Sequence, residues 1–119
     1  MPVLYSFLGP FLVWPLEIFS PYPYLVEEIF KASVVWFGPK NLKLYFVSGI
    51  AFAFSETVLY TMNSYFSPTR LLITSLLHST TFLIIYISTI KDRRLIFIGL
   101  IISIFVHYVY NSFLAGILS

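Results

Sequence analysis

Apolar residues run along this chain in five long blocks, separated by short clusters of proline, glycine, asparagine and charge. The clusters are SPYP (Ser20 to Pro23), GPKNLK (Gly38 to Lys43), SPTR (Ser67 to Arg70) and KDRR (Lys91 to Arg94), each a turn signal. They leave a lead-in block over 1–20 and four further segments, at about Tyr22–Phe37, Lys43–Ser64, Pro68–Ile90 and Leu95–Leu118. A bilayer span takes about 20 apolar residues, and hydrocarbon offers backbone groups no water. The segments therefore read as helices despite their β-branched and aromatic content. The expected fold class is all-α: a polytopic transmembrane helix bundle of about five membrane segments, a single domain over 1–119, with four helices over 22–118 as its core. The lead-in block has no basic n-region and carries Pro10 and Pro15 within its apolar run, so it reads as a retained segment, either a kinked span or a re-entrant hairpin.

Composition agrees with this reading. Of the 119 residues, 59% are hydrophobic and only 10% charged, far below the quarter or so of a soluble domain. A net charge of +2, drawn from basic residues near segment ends, gives no nucleic-acid surface. The absence of cysteine excludes disulfides, thiolate catalysis and cysteine metal sites. Orientation follows from the same charges. GPKNLK and KDRR share one side and hold Lys40, Lys43, Lys91, Arg93 and Arg94, whereas SPTR opposite holds only Arg70. The positive-inside rule puts the first two in the cytoplasm and the C-terminus outside, as expected of a multi-pass protein of the cell membrane.

A few polar residues break the apolar blocks. At 1.5 Å per residue, Glu27, Glu28, Lys31, Glu56, His78, His107 and Asn111 all fall roughly 8 to 16 Å from the outer ends of their segments. Four segments running in alternating directions thus aim polar groups into one slab. Glu27 and Lys31 are four apart, as are His107 and Asn111, and Glu56 shares a face with Phe52, Tyr60 and Asn63. Gly49 and Ala53, with Ser48, Ala51 and Ser55 nearby, allow close approach of the third helix to a neighbour. An acid or lysine at mid-bilayer costs about 2.5–3.5 kcal/mol, so three glutamates and a lysine cost on the order of 10 kcal/mol before pairing. That cost points to a polar cavity enclosed by the helices. Plainer roles exist for individual members. Glu27 and Lys31 can form an i, i+4 ion pair, Lys31 can snorkel to the surface, and His107 and Asn111 can bridge helices at about 0.6 kcal/mol per contact. Glu17, beside Pro15, reads as interfacial, and Trp14, Trp36 and the tyrosines as interface belts and packing.

Hydrolysing a peptide bond inside a membrane requires a held water and donors for the oxyanion. A carboxylate supplies a general base, histidine orients the water, and histidine with asparagine can stabilise the oxyanion. Adjacent Glu27 and Glu28 in low dielectric should titrate as a coupled pair, with Lys31 opposing their repulsion. A glutamate and two histidines can instead ligate zinc, with Glu27, His78 and His107 as ligands. Residue types alone leave both mechanisms open, one needing no cofactor and the other Zn2+.

The segments EEIFK (Glu27 to Lys31), FAFSETVLY (Phe52 to Tyr60), LLHSTTF around His78 and VHYVYN (Val106 to Asn111) resemble, in order and spacing, the four motif regions of the PrsW intramembrane proteases. That family belongs with the CAAX prenyl proteases and bacteriocin-processing enzymes. The resemblance covers Leu25 to about Phe113. It implies a helical membrane protease that cuts a membrane-anchored or membrane-proximal protein, with Glu27 activating water and Glu28 and Lys31 completing the first motif. Glu56 takes the place of the second motif's acid, His78 that of the third motif's histidine, and His107 and Asn111 that of the final pair, which binds the oxyanion or contributes a metal ligand. The family usually continues its second motif as Glu-Asn, where this chain has Thr57, and its members are usually longer. The resemblance therefore also leaves room for a homo-oligomer or partner that completes a substrate groove. Two other classes compete: a small proton-coupled transporter, which also needs a buried glutamate, and a non-enzymatic partner protein built on an inactive protease core.

Overall fold

Each turn signal places a cap or a proline where a helix must begin. The Asn41 side chain accepts a hydrogen bond from the Leu44 amide at 3.2 Å, and Ser67 accepts from the Arg70 amide at 3.2 Å. Pro23 and Pro68 open their helices at positions where no amide is needed. In the computed structural model, residues 2–62 and 67–118 are described, with side chains as far as Phe113. They form α1 (Pro2–Ile18), α2 (Pro23–Phe37), α3 (Leu42–Thr61), α4 (Pro68–Ser88) and α5 (Ile96–Leu118), the last entered through a 3₁₀ turn at Arg93–Leu95. The described chain is all-helical. Asn63, expected on the Glu56 face, lies outside the described residues.

Two boundaries depart from the sequence pattern for local reasons. Helix α4 stops at Ser88 rather than Ile90, where the Ser88 and Thr89 hydroxyls turn back onto the carbonyls of Ile85 and Tyr86, each at 2.6 Å. Helix α1 is one continuous helix through Pro10 and Pro15, which rules out the re-entrant hairpin. The Ser55 hydroxyl donates to the Phe7 carbonyl in the turn that Pro10 disturbs, so α3 braces α1 there.

Among the described residues, three segments are long and apolar enough to cross a membrane: Leu42–Thr61, Pro68–Ser88 and Arg93–Phe113. Helices α1 and α2, at 17 and 15 residues, fall short of the usual span. Large apolar side chains stay bare on the outside of the bundle, with Ile101 and Phe105 on α5 about two-thirds exposed, a surface suited to lipid.

The helices pack in a ring, α1 against α3, α3 against α4, α4 against α5, α5 against α2 and α2 back against α1, with α2 also touching α4 across the middle. The closest approach is between α3 and α4. A Cβ on Gly49 would overlap the backbone of Ser79 and His78, so the small-residue stripe does bring α3 up to a neighbour. Ser79 strengthens the contact by donating to the Phe46 carbonyl at 3.0 Å. Below it, Tyr45, Phe82 and Ile85 are fully buried and fill the core on the side of the GPKNLK turn, and Phe52, equally buried, packs against His78 above it. This packing fixes the height of His78 relative to Glu56, two turns beyond Gly49.

Candidate functional site

Lys31 stands at the centre of the ring, fully buried, with its ammonium wholly occupied. It lies 2.8 Å from Glu28 Oε2, 2.6 Å from His78 Nδ1 and 2.7 Å from Thr81 Oγ1. Three donors meet three acceptors. Snorkelling is excluded, and the acid paired with Lys31 is Glu28, three residues back, rather than Glu27. The faces of Phe52 and Phe82, 5.2 and 5.7 Å from the ammonium, complete the enclosure.

From Lys31 the contacts run both ways. Because His78 accepts at Nδ1, its Nε2 carries the proton and donates to Glu56 Oε2 at 2.6 Å. In the other direction Glu28 Oε2 also meets His107 Nδ1 at 2.9 Å, and His107 Nε2 lies 3.3 Å from Glu27 Oε2. The two imidazoles stand edge to face with centroids 5.6 Å apart. Glu17 on α1 stands beside this group, lining the same cavity as Glu27 and Glu56. The sequence Glu56, His78, Lys31, Glu28, His107, Glu27 is thus one connected polar path to which α2, α3, α4 and α5 contribute.

Six of the seven residues singled out by the sequence meet in this path; Asn111 does not. It lies one turn beyond His107 on α5 and is exposed. Glu17, read from the sequence as interfacial, joins the cluster instead. A signal for it was present: of the buried positions of α1, Pro2, Ser6, Gly9, Pro10 and Val13, all but Pro10 follow one another at spacings of three and four, and Glu17 continues that stripe by one further turn.

The path opens on one side into a cavity of about 200 Å³ lined by Pro10, Trp14, Glu17, Glu27, Glu56, Leu59, Tyr60 and Arg70. Three carboxylates therefore face one space, and Tyr60 and Arg70 supply its donors. The Arg70 guanidinium stacks over the Tyr60 ring at 3.9 Å. Glu28 Oε1 is buried without a hydrogen-bond partner.

The donor set suits an ammonium better than a zinc ion. Ligand atoms of Glu27, Glu28 and His78 lie within 4.8 Å of one another, which is close enough to share an ion. Yet Lys31 already draws on Glu28 and on His78 Nδ1, and Glu56 takes His78 Nε2. In the set Glu27, His78 and His107 it is His78 whose two nitrogens are both taken, by Lys31 and Glu56, while His107 Nε2 stands 3.3 Å from Glu27 Oε2.

Comparison of the chain with protein-family models, with curated protein sequences and with solved structures finds no match.

Proposed function

We propose that this protein is an intramembrane endopeptidase of the PrsW type, hydrolysing a peptide bond in a membrane-anchored or membrane-proximal protein with a glutamate-activated water. The observation that carries the reading is the cavity between Glu27 and Glu56. Its roughly 200 Å³ is room for a peptide unit and a water, and Glu27 and Glu56, two of its three carboxylates, are the ones that resemble the first and second motif acids of that family.

In this reading the four-helix core is α2 to α5, and α1 adds Glu17. Glu27 takes a proton from the water, and the substrate nitrogen receives it as the bond breaks. His107 orients Glu27 through Nε2, and Lys31 holds Glu28 and His78 in place from behind. Asn111 is exposed and His107 faces the glutamates, so the donors that open on the cavity and suit the oxyanion are Tyr60 and Arg70. Glu28 Oε1, buried and without a donor, is an atom that commonly orders a water.

The test is a comparison in liposomes of wild-type protein and Glu27→Gln, each mixed with solubilised host membrane proteins, with new N-termini read by mass spectrometry. New termini near membrane spans that vanish with the variant support the peptidase. Identical profiles from two folded proteins sink it.

The continuous path from Glu56 to Glu27 favours a second reading, a small proton-coupled transporter, because such a path can pass protons. Proton-dependent substrate flux that falls with His107→Ala, which breaks that path, would decide for transport. A core without catalytic function would leave every phenotype intact under Glu27→Gln.

A further inference from the structure

The opposite end of the bundle carries a second polar cavity, unconnected with the acids. Five of the seven basic residues, Lys40, Lys43, Lys91, Arg93 and Arg94, lie in the two connections at this end, against one acid, Asp92. Asp92 is committed locally: it accepts from the Arg94 amide at 2.9 Å and lies 3.5 Å from the Arg94 side chain. Between the last turns of α2 and α4 opens a cavity of about 420 Å³, lined among others by Trp36, Lys40, Tyr86, Lys91 and Arg93 and by no carboxylate. Its volume is that of a small-ligand site.

Simple capping accounts for only part of this charge. Helices α2 and α4 end here, and their last carbonyls attract cations. Arg93 answers that need: it donates to the Trp36 carbonyl and stacks over the Trp36 ring at 4.0 Å. Lys40 and Lys91 form no ion pair among the described residues, yet both line the cavity. Two uncommitted ammonium groups and a fixed guanidinium around one concave space describe an anion site. Its level in the molecule indicates which anion. The cavity sits at the ends of α4 and of the Arg93–Phe113 segment, both long enough to span, and so where hydrocarbon gives way to headgroups.

We propose that this cavity binds a phosphate group, presented by an anionic lipid headgroup at the membrane surface or free in solution, between Lys40, Lys91 and the Arg93–Trp36 stack. The site is independent of the peptidase reading.

The test uses the full chain in an uncharged detergent with Trp14→Phe, which leaves Trp36 as the sole tryptophan reporter of the two in the chain. Short-chain phosphatidic acid, phosphatidylglycerol and phosphatidylcholine are titrated separately, and inorganic phosphate is added as competitor. The anionic lipids should bind more tightly than phosphatidylcholine, and the double variant Lys40→Gln, Lys91→Gln should weaken them about tenfold or more. Removing the same charge outside the cavity, with Lys43→Gln and Arg94→Gln, should leave binding within about twofold. Displacement by inorganic phosphate points to free phosphate as the ligand, and lipid binding that phosphate leaves unmoved points to the headgroup. Equal binding of anionic and zwitterionic lipid, or equal weakening by both double variants, overturns the site. Should the first double variant fail to fold, each single lysine variant must still weaken binding, and an unchanged pair of singles is equally fatal.

Discussion

The ammonium of Lys31 donates once each to Glu28, His78 and Thr81, which uses all of its hydrogens and leaves none for a ligand. Its role is therefore to hold other groups in place. Replacing it with methionine leaves Glu28 buried without its cation, held by His107 alone, and should destabilise the protein by about 3–5 kcal/mol in detergent denaturation. Adding Glu28→Gln to that variant should recover much of the loss, since the stranded charge is then gone. Glu27 faces the cavity and stands nearest to any chemistry. On the peptidase reading Glu27→Gln lowers cleavage by about a hundredfold or more. Glu17→Gln lowers it less, because Glu17 acts through Glu27, and single-turnover assays on the two variants measure the ranking. The sequence made most of this group legible, because a charged residue in an apolar run has few places to go. It did not reveal the partner of Lys31, since positions three and four back lie on the same helix face. Nor did it show that Asn111 is exposed, which depends on how far the α5 contact surface wraps around the helix.

At the scale of elements, Pro, Gly, Asn and Ser in the turns fixed helix starts almost to the residue, because each acts through the backbone and needs no tertiary partner. Helix ends were less legible. The hydroxyls that stop α4 at Ser88 bond within their own turn and could equally have pointed to a neighbour. The least legible element was α1, whose two prolines suggested a break. Its continuity depends on a brace from Ser55, some fifty residues away, and its packing on α3 is what carries Glu17 inward. The α3–α4 contact has a sharper test. Gly49→Ala puts a methyl into the backbone of Ser79 and should cost about 1–3 kcal/mol, with a fall in any activity that depends on the Glu56–His78 bond. Leu at Ile50, which is exposed one residue away, should change neither. Thermal unfolding in one detergent compares the two variants directly.

For the whole molecule, on the peptidase reading, the engagement of both His78 nitrogens by Lys31 and Glu56 predicts that cleavage persists in excess chelator, and loss of activity that zinc alone restores would reverse that expectation. Orientation can be read just as directly. The chain has no cysteine, so a single Lys40→Cys or Ser112→Cys variant gives one unambiguous thiol. Impermeant maleimide applied to intact cells should label Ser112→Cys and spare Lys40→Cys, if the basic connections face the cytoplasm. The polar group assembled from α2 to α5, with Glu17 of α1 on the same cavity, also bears on how the protein comes into being. Synthesis delivers Glu17 first, then the Glu27 group, Glu56 and His78, with His107 last. Until α5 enters the membrane, Glu27 and Glu28 lack their histidine, and the nascent chain carries an incomplete circuit. On the peptidase reading, the site is therefore complete only once α5 has packed against α2 and α4.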